Sequence, residues 1–219
     1  MTGRGARIAV AALCAGAALA ACSTGATQGP GTTVTVTRSE PPTSTVPTTT
    51  TSSTAPVHRV TTLPGTCFTL LPLSAVEDAL GRAISGHTAF VVGAGEPGIG
   101  RITYLNCRYG LPVGAAAATA TPKLEITVSL YRTALFASRR IPETVNDYAN
   151  HGASQSDVAV AGVHAIILTR ASGNGYTYPT IVAAFGQRTI AITLVPKPGA
   201  NLTKDLSALA KVALQATAS

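Results

Sequence analysis

The residues with the clearest potential for chemistry are three glycines in the stretch AFVVGAGEPGIG. Gly93, Gly95 and Gly98 follow an apolar run with the spacing G-x-G-x-x-G, which is the spacing of a dinucleotide-binding turn. Such a turn needs a helix that begins at the glycines, because the pyrophosphate binds at its N-terminus, and a carboxylate further along the chain. The following residues, RITYLNCRYG, alternate like an extended segment, and VGAAAATA near residue 115 contains no carboxylate. We therefore predict a loop between extended segments and no nucleotide cofactor.

Other catalytic patterns are equally incomplete. GASQS at 152–156 lacks the final glycine of a G-x-S-x-G nucleophile elbow and follows a helical pattern. The four histidines have no metal-ligand spacing. Glu143 and Asp147 lie one helical turn apart, which is typical of a solvated helix face. The sequence thus predicts no catalytic residues, no metal site and no cofactor, and it favours a protein that is not an enzyme.

The N-terminus predicts export. Arg4 and Arg7 precede the uncharged run IAVAALCAGAALAA, which matches the basic start and short apolar core of a secretory signal. The run ends in Leu19-Ala20-Ala21-Cys22, which resembles the bacterial lipobox. This resemblance implies a signal peptide over residues 1–21 and an acylated Cys22 that anchors the chain to the extracytoplasmic face of the cell membrane. The alternative is an ordinary signal peptide with a cysteine near its end.

The charge balance favours a membrane surface over nucleic acid. The chain has 16 Lys and Arg against 9 Asp and Glu, and such an excess favours contact with anionic headgroups. Nucleic-acid binding is the competing interpretation of a basic chain. However, the longest basic run is Arg139-Arg140, no aromatic-interleaved basic patch is present, and export leads to the wrong compartment.

Residues 22–65 are predicted to form a tether. The stretch PPTSTVPTTTTSST at 41–54 is almost entirely Thr, Ser and Pro, so it cannot bury enough apolar surface to offset the entropy of ordering. This composition also suits O-glycosylation, and an unmodified spacer is equally compatible with it.

Residues 66–219 are predicted to form one domain, in which Cys67 and Cys107 are the only cysteines. Because an exported chain meets an oxidising space, a disulfide is the default interpretation. A redox pair would need a C-x-x-C spacing, and a zinc site would need a nearby histidine.

The periodicity of this domain predicts an α+β fold. Ser74 and Glu77 suggest a capping box for a helix over 70–81, and strict alternation predicts a strand over 123–130. Helical patterns cover 131–150, interrupted at Pro142, and 201–215. Further strands are predicted over 157–162, 163–170, 180–185 and 188–195. We expect an antiparallel sheet with helices packed on one face.

Exposed aromatic residues could form a recognition surface. Tyr176 and Tyr178 lie in a loop rich in Gly, Ser and Asn, where binding and core filling are equally compatible with the sequence. For Phe68 and Tyr104 we expect core filling.

The sequence also resembles a family. Cys67-Phe68-Thr69-Leu70-Leu71, then Ala79-Leu80-Gly81, then Cys107-Arg108-Tyr109 are similar to the C-x-x-L-L … A-L-G … C-x-aromatic pattern of actinobacterial, notably mycobacterial, envelope lipoproteins that share a domain of unknown function. The second half also resembles exported lipoproteins with a photosystem-protein-like α+β sandwich. The resemblance implies a lipid-anchored, disulfide-bonded envelope protein and assigns no catalytic residues.

These observations favour a non-enzymatic envelope protein that binds a partner protein or an apolar envelope ligand. Two alternatives stay open. One is an accessory enzyme of envelope lipid or glycan metabolism, which would need polar groups converging in a cleft. The other is a passive structural surface lipoprotein without a pocket.

Overall fold

The computed structural model describes residues 62–114, 119–173 and 176–218. The predicted signal peptide, Cys22 and most of the predicted tether lie outside these residues. Within the described ranges, no helix combines the length and the hydropathy that a membrane crossing requires.

A seven-stranded antiparallel sheet forms the centre of the domain. The strands are arranged in the order β1-β2-β3-β7-β6-β5-β4, so β1 and β4 are its two edges. The antiparallel sheet and the α+β class are as predicted. The strands are β1 (His87–Gly93), β2 (Arg101–Leu111), β3 (Leu124–Tyr131), β4 (Ser154–Val160), β5 (Val163–Thr169), β6 (Thr180–Phe185) and β7 (Arg188–Leu194). The helices are α1 (Cys67–Leu70), α2 (Leu73–Leu80), α3 (Ala134–Asn150) and α4 (Leu202–Ala218), with a 3₁₀ turn at Pro97–Ile99.

The main core lies between one face of the sheet and helices α2 and α4. Leu124, Ile126 and Val128 alternate along β3 and are fully buried on this face, as strand geometry requires. Leu206 and Leu209 of α4 fill the other side of the core. A short ion pair between Arg82 and Asp205, with 2.6 Å between Nη1 and Oδ2, also links the end of α2 to the start of α4.

Helix α3 packs on the opposite face, so the prediction that the helices share one face holds only for α2 and α4. Val145 of α3 lies against Leu168 of β5 and Val182 of β6 in a smaller core. Ile181, the neighbour of Val182 on β6, belongs to the main core. The reason is the apolar run of β6, TIVAAF, which presents apolar side chains on both faces and therefore needs cover on both.

Helix α3 is also continuous, although the sequence predicts an interruption at Pro142. A proline inside a helix has no N–H for the carbonyl four residues earlier, here that of Ser138. Both Ser138 and Pro142 are exposed, so water can bind this carbonyl. The helix therefore continues without burying an unsatisfied acceptor.

The start of α2 differs from the predicted capping box as well. The N-cap position is Pro72, which provides no side-chain hydrogen bond. Glu77 instead accepts a hydrogen bond from the Ile84 N–H at 2.8 Å, so it fixes the segment after the helix rather than the helix start. Gly81 ends the helix with a φ of 62°, a conformation that favours glycine.

A disulfide joins Cys67 of α1 to Cys107 of β2, with 5.6 Å between the Cα atoms. Both residues are completely buried. Close by, the buried Tyr109 hydroxyl donates a hydrogen bond to the Leu71 carbonyl at 2.6 Å, and burial raises the pKa of this tyrosine. Together these contacts fix the short helix α1 beside the strands at the β1 edge of the sheet.

We expect the double substitution Cys67→Ala/Cys107→Ala to lower the free energy of unfolding by about 4 kcal/mol, because the bridge closes a loop with a sequence separation of 40 residues. Urea unfolding of both proteins, followed by circular dichroism, measures the difference. The unsubstituted protein unfolded in the presence of a reductant should match the double variant. Equal midpoints for the oxidised protein and the double variant would contradict this role.

Candidate binding surface at the free edge of the sheet

The glycine-rich stretch connects two antiparallel strands. β1 ends at Gly93, and β2 begins at Arg101, where a dinucleotide fold would begin a helix. Between them, the chain forms a short 3₁₀ turn and an isolated antiparallel bridge between Glu96 and Arg101. The predicted loop between extended segments is therefore correct, and the helix N-terminus that a pyrophosphate would need is missing from this stretch.

The glycines serve close packing instead. A Cβ atom on Gly93 would overlap the Tyr104 ring, and one on Gly95 would lie 2.5 Å from the Ile102 carbonyl oxygen. A Cβ atom on Gly98 would meet nothing within 4 Å. Two of the three glycines are thus explained by the approach of β2 to the end of β1.

An apolar surface surrounds β1. Phe68 is 59% exposed, although core filling was predicted for it, and its ring contacts that of Phe90 edge to face at 6.4 Å. The reason is the disulfide, which directs Cys67 inward and leaves the next residue of the single-turn helix α1 pointing outward. Val91 and Val92 are 51% and 56% exposed. We call these four residues, Phe68, Phe90, Val91 and Val92, the edge patch.

The backbone of β1 adds hydrogen-bonding capacity to this patch. Within the described residues β1 pairs only with β2, so the N–H and C=O groups on its outer side have no strand partner. β1 also contains no Lys, Arg, Asp or Glu. An exposed, uncharged and apolar edge strand is a template for pairing with another chain.

The opposite edge is chemically different. Ser154, Gln155, Ser156 and Asp157 of β4 are all exposed, and Asp157 contacts His164 at 2.9 Å. Polar and charged side chains of this kind disfavour edge-to-edge association. The two edges therefore provide a matched comparison within one sheet.

The two loop tyrosines have separate environments. The Tyr176 hydroxyl donates a hydrogen bond to Oδ2 of Asp147 at 2.6 Å, and its ring stacks on His151 at 3.8 Å. The hydrogen bond to Asp147 is also the main cause that raises the pKa of Tyr176. Tyr178 instead lines a polar cavity of about 350 Å³ beside Arg108. Tyr176 thus fastens its loop to the end of α3, whereas Tyr178 faces a cavity.

A second cavity, of about 420 Å³, lies between α3 and the sheet and has a largely apolar lining. Ile141, Val145 and Ile166 contribute to it, with Ser138 and His164 among its polar members. No group of three or more His, Cys, Asp or Glu residues in the described ranges is arranged to hold a metal ion.

Comparisons with known proteins give little further information. No protein-family profile matches the chain, and no curated protein sequence matches it. Among solved structures, the chain is similar to the extracellular domain of PknH from Mycobacterium tuberculosis, with a TM-score of 0.42 and 11% identity over 69% of this chain and 94% of that one. A likeness of this size does not indicate what the present chain binds.

Alanine substitutions separate the two kinds of glycine. Gly95→Ala should lower the free energy of unfolding by about 1 to 3 kcal/mol, because the added methyl group overlaps the Ile102 carbonyl, a backbone group of β2 that cannot rotate aside. Gly98→Ala is the control and should have little effect, since its Cβ has open space. Thermal unfolding measures both variants, and equal losses of stability would contradict the packing role of Gly95.

Proposed function

We propose that the protein is an exported, membrane-anchored and non-enzymatic protein that binds an extended segment of a partner protein at β1. The observation that carries this proposal is the edge patch beside an unpaired strand edge. When a partner segment adds as a further strand to a sheet edge, the main-chain hydrogen bonds provide affinity, and the pockets for alternate side chains provide specificity.

The positions of the apolar side chains define the partner segment. Side chains alternate between the two faces along a strand. Phe90 and Val92 therefore lie on one face of the sheet, and Val91 lies on the other. Phe90 is on the face of the disulfide, because it pairs with Cys107, and Phe68 extends that apolar surface through its contact with Phe90. A complementary segment would carry apolar residues at alternate positions facing Phe68 and Phe90.

Export and lipid anchoring are supported by two different observations. The buried Cys67–Cys107 disulfide fits a protein that folds in an oxidising compartment. The resemblance of Leu19-Ala20-Ala21-Cys22 to a lipobox supports a lipid anchor at Cys22. Two acyl chains would give stable attachment where one would not.

A second candidate function is the binding of an apolar envelope ligand. The observation that favours it is the cavity of about 420 Å³ between α3 and the sheet, which lies within the size range of small-molecule sites. Native mass spectrometry of the protein isolated from its own envelope would detect such a ligand as an added mass.

Photo-crosslinking tests the proposed partner site. A photoreactive residue at Val91 in the full chain, illuminated in the native envelope, should form an adduct with a different protein. The further substitutions Phe90→Lys and Val92→Lys should remove most of this adduct, because a partner strand would have to bury two charges. Both native side chains are exposed, so these changes should not prevent folding.

The matched control places the photoreactive residue at Gln155 on β4, with Ser154→Lys as its charged substitution. This edge should give no adduct that depends on the added charge. Absence of an adduct at Val91 would overturn the proposal. An adduct of this chain with itself would replace the partner protein by a second copy.

The anchor is tested independently. Cys22→Ala should move the protein from the membrane fraction to the soluble fraction, since the thiol that carries the acyl group is lost. Cys14→Ala is the control, because Cys14 lies inside the predicted signal core after Leu13. Retention of the Cys22→Ala variant in membranes would contradict the lipobox interpretation.

A further inference from the structure

The remaining exposed apolar side chains concentrate at one end of the sheet. Among the described residues, eight large apolar side chains are exposed, and four of them form the edge patch. Three others, Ile102, Leu135 and Phe185, lie near the end of the sheet where Arg101 pairs with Tyr131. Only Val113 lies elsewhere, after the opposite end of β2. We call the end with Arg101 and Tyr131 the tether end.

The predicted tether joins the domain at this same end. Arg188, the first residue of β7, donates a hydrogen bond from Nη2 to the Thr62 carbonyl at 3.3 Å. The next residue, Leu63, packs against the main core. Tyr131 in turn donates its N–H to the Gln187 carbonyl at 2.8 Å, which places the β6–β7 hairpin beside the end of β3. The chain thus enters the folded domain at the tether end.

Hydrogen bonds place the start of α3 at the tether end as well. The Arg132 N–H donates to the Gly100 carbonyl at 2.9 Å, and the Gln187 side chain donates to the Arg132 carbonyl at 2.8 Å. Leu135 follows in the first turn of α3 and is 60% exposed, and Phe185, at the hairpin, is 43% exposed. Leu135 lies on the α3 side of this end and Phe185 lies at the β6–β7 hairpin, so both exposed side chains are near the same end of the sheet.

Basic side chains lie near this end, at Arg132 directly after β3 and at Arg139 in the second turn of α3. Glu96 and Glu143 are already paired with Arg101 and Arg140. The guanidinium groups of Arg132 and Arg139 make no hydrogen bond or ion pair with other described residues. Two uncompensated cations therefore accompany the exposed apolar side chains.

We propose that the tether end is a contact surface for an anionic phospholipid bilayer. Apolar side chains that insert at the headgroup boundary and basic residues that attract anionic lipids are the two components of peripheral membrane binding. The position of Thr62 at this end agrees with the orientation, because the first described residue of the chain then lies on the proposed membrane side. The strands would stand along the membrane normal, and β1 would face sideways toward a partner.

This proposal relies on the proposed anchoring only for the location of the protein in the cell. The contact itself can be measured with the mature chain from residue 22 onward carrying Cys22→Ser, which has no acyl group. The edge-patch substitutions Phe90→Lys and Val92→Lys should not weaken vesicle binding. Failure of the membrane contact therefore leaves partner binding standing, and the reverse also holds.

The absence of tryptophan from the sequence allows a direct optical test. Leu135→Trp in this chain should show a blue shift of its emission on vesicles of equal parts phosphatidylcholine and phosphatidylglycerol, and brominated lipids should quench it. Val113→Trp is the control, since Val113 is 91% exposed and lies at the opposite end. Equal shifts for both variants, or no shift for Leu135→Trp, would overturn the proposal.

Charge substitutions test the same surface. Arg132→Gln with Arg139→Gln should lower the vesicle partition coefficient roughly thirtyfold at low salt, the effect of losing two basic residues at an anionic surface. Lys197→Gln with Lys204→Gln removes the same charge from exposed positions elsewhere and should change partition much less. Equal losses for the two pairs would mean that only net charge matters, which contradicts an oriented contact.

Discussion

Helices cover the central strands of the sheet, so other molecules reach it mainly at its edges and at the ends of its strands. In this domain α2 and α4 pack on one face and α3 packs on the other. Within the described residues, β1 and β4 each have one side without a strand partner. The exposed polar side chains of β4 protect its edge, whereas β1 presents apolar ones. This difference between two edges of the same sheet is the constraint from which the proposed function follows.

The disulfide helps to form the apolar surface at the β1 edge. It fixes α1 against β2, and the inward direction of Cys67 leaves Phe68 beside β1, where it contacts Phe90. The glycines at 93 and 95 permit β2 to pack closely against the end of β1. The same stretch that looks like a nucleotide-binding turn therefore helps to build an edge without charged side chains.

Periodicity predicted the elements with a clear polar and apolar alternation. The β3 strand and the apolar stripe of α4 follow directly from it, because one face of each is buried in the main core. The placement of α3 could not be predicted, since the apolar run of β6 does not tell which helix covers which face. The predictions for Pro142 and Phe68 were wrong for a related reason. The continuity of α3 at Pro142 depends on solvent reaching a carbonyl, and the exposure of Phe68 depends on the disulfide that orients its neighbour. Neither is a local property of the sequence.

The central claim is that β1 is an open edge that a partner protein closes. Hydrogen–deuterium exchange followed by mass spectrometry measures this directly, by comparing peptides from β1 and β4 in the isolated protein and in its native envelope. The account predicts that the β1 peptide exchanges rapidly in isolation and becomes protected in the envelope, while the β4 peptide is unchanged. Equal exchange of the β1 peptide in both states would contradict it.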